Sequence, residues 1–205
     1  MKTLIKGGRI LDPAQNYDKV ANLLIEDGKV VCITDEDVPA DRVIDASGRM
    51  VTPGFIDIHM HEDPYDEKTG EMKQDIARSM LLMGVTTAMG GNCGENYGDP
   101  RAYLDFIDEH GNCVNLGLFT GHGWIREACG GTDKYAQVDD ATVDRMEALA
   151  KSCLDAGSMG ISFGVKYIPG TRMEEMTRLS ALCAPSGRLV TSHVRNDVSR
   201  VFAAV

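Results

Sequence analysis

The chain of 205 residues is 43% hydrophobic and 25% charged, the balance of an ordinary folded domain, and its net charge of -10 disfavours nucleic acid and anionic membranes as partners. No apolar run reaches the length of a membrane span, and the N-terminus lacks the apolar core of a signal peptide. Cysteines at 32, 93, 113, 129, 153 and 183 form no C-x-x-C pair, which points to reduced thiols in a cytoplasm.

Residues 1–50 read as a small β module. Leu4-Ile5 and Ile10-Leu11 flank Gly7-Gly8 as a turn, and Leu23 to Glu26 and Lys29 to Ile33 flank the hairpin signal Asp27-Gly28. Arg42 to Asp45 and Arg49 to Val51 flank Ala46-Ser47-Gly48. From residue 51 the pattern becomes strand, loop, helix, repeated. A first strand, Phe55 to His61, follows Pro53-Gly54, and a helix over Asp75 to Met83 carries Ile76, Met80 and Met83 at helical spacing before Gly84. A second strand spans Val85 to Met89, a helix Pro100 to Glu109 and a third strand Cys113 to Thr120. Asp139 to Ala156 is the clearest helix, with acidic residues at its start and Gly157 after its end. A fourth strand over Met159 to Tyr167, a helix over Arg172 to Cys183, a fifth strand over Arg188 to Val194 and a helix from Val198 complete the pattern.

Five consecutive βα units predict a parallel sheet with right-handed crossovers, either a barrel or a doubly wound sheet. No G-x-G-x-x-G follows the first strand, and polar residues gather at successive strand ends, which favours an α/β barrel of the (β/α)₈ type. Such a barrel takes about 250 residues. Residues 51–205 therefore supply about five of its eight units, and the barrel is expected to be truncated here.

Chemistry concentrates at the strand ends. Phe55, Asp57, His59 and His61 share one face of a strand, so the two imidazoles, roughly 7 Å apart along the chain, can converge on a metal ion. Cys93 follows the second strand in Gly90-Gly-Asn-Cys-Gly94, where glycines allow a sharp turn and a thiolate can bind zinc; an inert buried cysteine is the alternative. His122 lies just beyond the third strand, as a residue supporting the metal ligands from behind, a substrate contact or an ordinary loop histidine. Lys166 shares a predicted inward face with Ser162 and Gly164, where a lysine must be paired, modified or used unless it reaches solvent. His193 closes the fifth strand as a ligand or a structural histidine. Arg195, two residues on, is placed to grip a substrate carboxylate or to pair with a rim carboxylate such as Asp197.

The run Pro53-Gly-Phe-Ile-Asp-Ile-His-Met-His61 resembles the first barrel strand of the amidohydrolase superfamily. Gly84-Val-Thr-Thr, Gly91-Asn-Cys-Gly94, Thr120-Gly-His-Gly123, Gly160-Ile-Ser-Phe-Gly164 with Tyr167 and Pro169, and Ser192-His-Val-Arg195 resemble the N-acyl-D-amino-acid deacylases (D-aminoacylases), in the same order along almost the whole chain. The resemblance implies a zinc-dependent hydrolase of linear amides acting on small N-acyl amino acids, with one or two Zn²⁺ bound by Cys93 and His193 and with His59 and His61 alongside. It also implies a further histidine ligand and a catalytic aspartate beyond residue 205, so no general base is assigned here, and C-terminal strands that complete the N-terminal β-sandwich. Self-association is left open. A cyclic-amide hydrolase resembling dihydroorotase or hydantoinase, with a carboxylated Lys166 as metal bridge, is the second reading. A non-catalytic fragment that needs a partner chain is the third. Cys93 is the favoured bridge because its motif is the more selective match.

Overall fold

The computed structural model describes residues 1–66 and 68–203. Two compact units divide it, Met1–Gly54 and Phe55–Val205. In the first, β1 (Lys2–Asp12), β2 (Tyr17–Glu26), β3 (Lys29–Thr34), β4 (Arg42–Asp45) and β5 (Met50–Val51) make one sheet in the order β3-β2-β1-β4, with β5 also paired to β1. Gly7-Gly8 is not a turn. Gly7 takes φ 71° and the register with β2 shifts between Ile5 and Gly8, so β1 bulges and continues. The chain reverses instead at Pro13–Gln15, where the Asp12 side chain accepts a hydrogen bond from the Ala14 N–H. Because β5 joins this sheet, the unit runs to Gly54, a few residues past the expected boundary at residue 50.

The second unit alternates strands and helices: β6 (Phe55–Asp57), a short hairpin of β7 (Tyr65–Asp66) and β8 (Glu71–Met72), α1 (Asp75–Leu82), β9 (Val85–Gly90), α2 (Pro100–His110), β10 (Asn115–Leu118), β11 (Thr120–Gly121), α3 (His122–Ala128), α4 (Asp140–Asp155), β12 (Gly160–Gly164), α5 (Met173–Ala181) and β13 (Leu189–His193). Strands β6, β9 and β10 pair in parallel, as do β11, β12 and β13. Phe119 interrupts one strand path between β10 and β11. Its N–H donates to the Gly90 carbonyl at 3.0 Å, and the Met159 N–H donates to the Leu118 carbonyl at 2.8 Å, which ties the two ladders together. The five parallel strands therefore neighbour one another in chain order. The reversal of order that marks a doubly wound sheet does not occur among them.

Local chemistry explains the elements. In α4 the Asp139 side chain accepts from the Thr142 N–H, and Val143, Met146, Ala150, Cys153 and Leu154 form the buried stripe. Helix α2 starts with Asp99 as cap and Pro100 in the first turn. Ile161 and Phe163 of β12, with Val165 beyond it, pack against Ile125, Met146, Ala150, Leu154 and Leu179, each burial contributing about 1.5–3 kcal/mol. Strand β12 is buried along its length, whereas the edge strands expose Phe55 (60%) and Ile56 (67%) on β6 and Leu189 (56%) on β13. Two further expectations fail locally. The segment after the third strand is the helix α3 instead of a loop, and the expected helix from Val198 is only a 3₁₀ turn at Val201–Ala203. No helix among the described residues is long and apolar enough to cross a membrane.

Candidate metal centre

Strand one is shorter than its alternation predicts. Strand β6 ends at Asp57, whose Oδ1 accepts the His59 N–H at 3.0 Å, an Asx turn that competes with the ladder. His59 and His61 thus stand beyond the strand, their rings edge-on at 6.1 Å. They still converge: one ligand atom from each of His59, His61 and Cys93 lies within 4.8 Å of the others.

Buried polar side chains shape that convergence. Asn92 donates from Nδ2 to the Met89 carbonyl at 2.8 Å and to the Ile58 and Met60 carbonyls at 3.4 Å each, joining the segment that carries His59 to the end of β9. The Glu62 carboxylate accepts from the Gly91 N–H at 2.5 Å and from Asn96 Nδ2 at 3.2 Å, and Asn96 Oδ1 in turn accepts from the Gly121 N–H at 2.7 Å. Asp63 accepts the Ile76 and Ala77 N–H groups at 2.7 and 2.9 Å, filling the open donors at the start of α1. The two carboxylates that follow His61 are thereby committed to structure.

Cys93 itself is in the left-handed region, at φ 57° and ψ 21°, which costs an L-residue about 1–2 kcal/mol. The loop can hold it there because its neighbours are bare: a β-carbon on Gly91 would collide with the Phe119 carbonyl, and one on Gly164 with the carbonyl of Cys93. The Gly94 N–H donates to Ser162 Oγ at 3.1 Å and pins the loop against β12. The result places Cys93 Sγ 3.3 Å from His59 Nε2 and 3.5 Å from His193 Nδ1. Burial, with a smaller contribution from Glu95, pushes the Cys93 thiol up.

These separations suit a metal. Donors at about 2.0–2.3 Å from a tetrahedral zinc lie about 3.5 Å from each other. His59, Asn92, Cys93, Thr191 and His193 line a gap of about 100 Å³, room for an ion with water. Thr191 Oγ1 is buried beside it with no hydrogen-bond partner among the described residues. Soft sulfur with two or three imidazoles is a zinc-type donor set. A larger cavity of about 620 Å³ opens from Cys93 toward Asn96, Trp124 and Tyr167, within the size range of small-molecule sites.

The remaining predicted residues divide. His193 ends β13 as expected, with Nδ1 3.1 Å from the Tyr167 hydroxyl and Nε2 3.3 Å from Asp197 Oδ2. Lys166 is not on a strand face. Strand β12 stops at Gly164, whose carbonyl accepts the Tyr167 and Ile168 N–H groups, and Lys166 sits in that turn. Its Nζ reaches the Asp197 carboxylate at 2.5 and 2.6 Å, and the Lys166 ammonium and then His193 hold that carboxyl below its usual range. Arg195 pairs with neither Asp197 nor an open mouth; it donates to the Thr171 carbonyl at 2.7 Å and the Pro169 carbonyl at 3.4 Å. His122 is fully buried as the first residue of α3, its Nε2 3.0 Å from Glu175, which also accepts the Arg172 N–H. With no exposed surface, His122 presents nothing to the neighbouring cavity in this structure, and its contacts are those of a buried structural residue. Asn92, Glu62 and Asn96 are the residues that sequence reasoning missed. Two asparagines beside a cysteine in a glycine-rich turn were the available signal.

Residues 42–162 match the family model described as Amidohydrolase family. The N-acyl-D-glutamate deacylase of Alcaligenes xylosoxydans is 31% identical over 98% of this chain and 45% of its own length. The dihydroorotase of Geobacter sulfurreducens is 46% identical over 100% of this chain and 45% of its own length. The crystal structure of the N-acyl-D-glutamate deacylase of Bordetella bronchiseptica, complexed with zinc and a phosphonate inhibitor, superposes with a TM-score of 0.86 at 31% identity, covering 98% of this chain and 47% of that one. The chain spans about half the length of the curated relatives it matches.

Proposed function

We propose, from the premise that the chain belongs to the amidohydrolase family, that it forms the metal-binding part of a zinc hydrolase of linear amides, acting on N-acyl-D-amino acids. The observation that carries this reading is Cys93, held in a left-handed turn with its sulfur between His59 and His193. Cys93, His193 and His59 would hold the ion, with His61 beside them. The chemistry that a zinc ion would supply there is activation of a water and polarisation of the amide carbonyl. The chain's own residues do the rest of the described work. Asn92 and Glu62 fix the loops that carry the donors, and the cavity toward Trp124 accepts the substrate. The sequential parallel strands fit five of the eight units of a (β/α)₈ barrel. On this reading the exposed apolar edges at Phe55, Ile56 and Leu189 meet further strands, which also bring the general base.

A second reading, hydrolysis of a cyclic amide, is favoured by one observation, the 46% identity to a dihydroorotase. Its bridge would be a carboxylated Lys166. The Lys166 amine is instead engaged by the Asp197 carboxylate, at 2.6 and 2.5 Å, and does not line the gap among His59, Cys93 and His193. Assay of the full-length zinc protein on N-acetyl-D-amino acids and on dihydroorotate separates the two. Turnover of the former, lost with zinc in the Cys93→Ala, His193→Ala double variant, is the expected result. Turnover of dihydroorotate alone, or zinc content unchanged in the double variant, overturns it.

A further inference from the structure

We propose that Lys166 and Asp197 act as a positioning pair that fixes His193 in the tautomer protonated on Nε2, leaving the Nδ1 lone pair facing Cys93. The inference deepens the reading of Cys93 and His193 as donors to one metal ion and rests on it.

Three contacts point the same way. Asp197 Oδ2 lies 3.3 Å from His193 Nε2, and an ionised carboxylate only accepts, so the ring proton belongs on that nitrogen. At the other nitrogen, the Tyr167 hydroxyl sits 3.1 Å from Nδ1 and can donate to a lone pair there. Cys93 Sγ stands 3.5 Å from the same Nδ1, the spacing expected of two donors on one tetrahedral ion. An imidazole that binds metal through one nitrogen usually donates its other N–H to a carboxylate, and that contact fixes both the tautomer and the ring orientation.

The surrounding chain is folded to deliver the carboxylate. Past His193, Arg195 is tied to the Pro169 and Thr171 carbonyls, and the Asn196 side chain accepts the Val198 and Arg200 N–H groups at 3.1 Å each. This turn brings Asp197 back onto the ring four residues before it. Lys166 then grips both carboxylate oxygens from the turn after β12. The lysine that sequence alone offers as a metal bridge thus reaches the centre through two side chains, as the counter-ion of the group that orients a donor. Asp197 and Lys166 are positioning residues, since neither touches the place where the ion or substrate would sit.

The test is the tautomer itself. In full-length, metal-free protein labelled with ¹⁵N histidine, long-range ¹H–¹⁵N spectra should show His193 protonated on Nε2 alone. Asp197→Ala should give a mixture of tautomers, Asp197→Glu should restore the single one, and Lys166→Met should have a smaller effect because the carboxylate remains. In a chelator competition with zinc, Asp197→Ala should weaken binding about 10–100-fold, with Asp197→Glu recovering most of it. A wild-type His193 protonated on Nδ1, or a tautomer unchanged in Asp197→Ala, overturns the proposal. The metal reading fails separately, if Cys93→Ala and His193→Ala leave zinc affinity unchanged. The tautomer spectra still decide the role of the pair in that case.

Discussion

His59 and His61 hang from backbone gripped by buried amide and carboxylate side chains, whereas His193 stands on an edge strand steered by an ion pair about 40% exposed. The first side is held by groups shielded from water. Asn92 and Glu62 are 1% exposed, and a buried polar group that loses its contact costs its full desolvation. The second side is held by charges that water and salt can screen. The His59 and His61 side therefore rests on buried contacts, and the His193 side on a pair that solvent reaches.

The comparison breaks hardest at Gly164. Its β-carbon would meet the Cys93 carbonyl, backbone that cannot swing aside, so Gly164→Ala should destabilise by about 3 kcal/mol. Urea unfolding of the full-length protein reads this directly, and zinc binding should fall with it. A stability within error of wild type would mean that the Cys93 loop is not seated on β12.

Asn92→Ala comes next. It removes one donor group from three carbonyls and should cost about 2 kcal/mol. Zinc that depends on His59 should be lost more readily than zinc that depends on His193. Equal loss in His59→Ala and His193→Ala backgrounds would show that Asn92 supports both sides alike.

Which of these features the sequence carried follows from their range. Helix α4 was legible because its cap, stripe and terminal glycine all lie within one local segment. The gathering of His59, His61 and Cys93 was legible as residue types, but the strand alternation used to explain it was wrong. A single local hydrogen bond from the His59 N–H to Asp57 ended β6 early, and period-two reasoning has no term for it. Lys166 failed for a related reason. The Gly164 carbonyl turns the chain before the lysine is reached, so its face could not be counted from Ser162. The grip of Asn92, Glu62 and Asn96 spans up to 34 residues along the chain and targets mostly backbone atoms. No residue pattern announces that.

Salt should separate the two sides more gently. Raising ionic strength from about 0.05 M to about 1 M shortens the screening length from about 14 Å to about 3 Å and weakens the Lys166–Asp197 pair. Zinc affinity should fall a few-fold in wild type and hardly at all in Lys166→Met, where the pair is already gone. The same salt series on Glu62→Gln should track wild type, because the Glu62 contacts are buried. A salt response that survives in Lys166→Met would place the sensitive charges elsewhere.

The smallest effect belongs to Arg195. Strand alternation aims it at the mouth of the site, where it would clasp a substrate carboxylate. The structure uses its Nη1 and Nη2 on the Pro169 and Thr171 carbonyls, in the turn beside Lys166 and Tyr167. A lysine has the reach and charge but lacks the planar fork that spans two carbonyls. Arg195→Lys should therefore loosen that turn by about 0.5–1 kcal/mol. It should raise KM equally for N-acyl amino acids and for their amide-capped analogues, since both substrates depend on the same turn. A rise confined to the uncapped substrate would give the guanidinium back its carboxylate. It would also mean that the loop carbonyls release Arg195 when substrate binds.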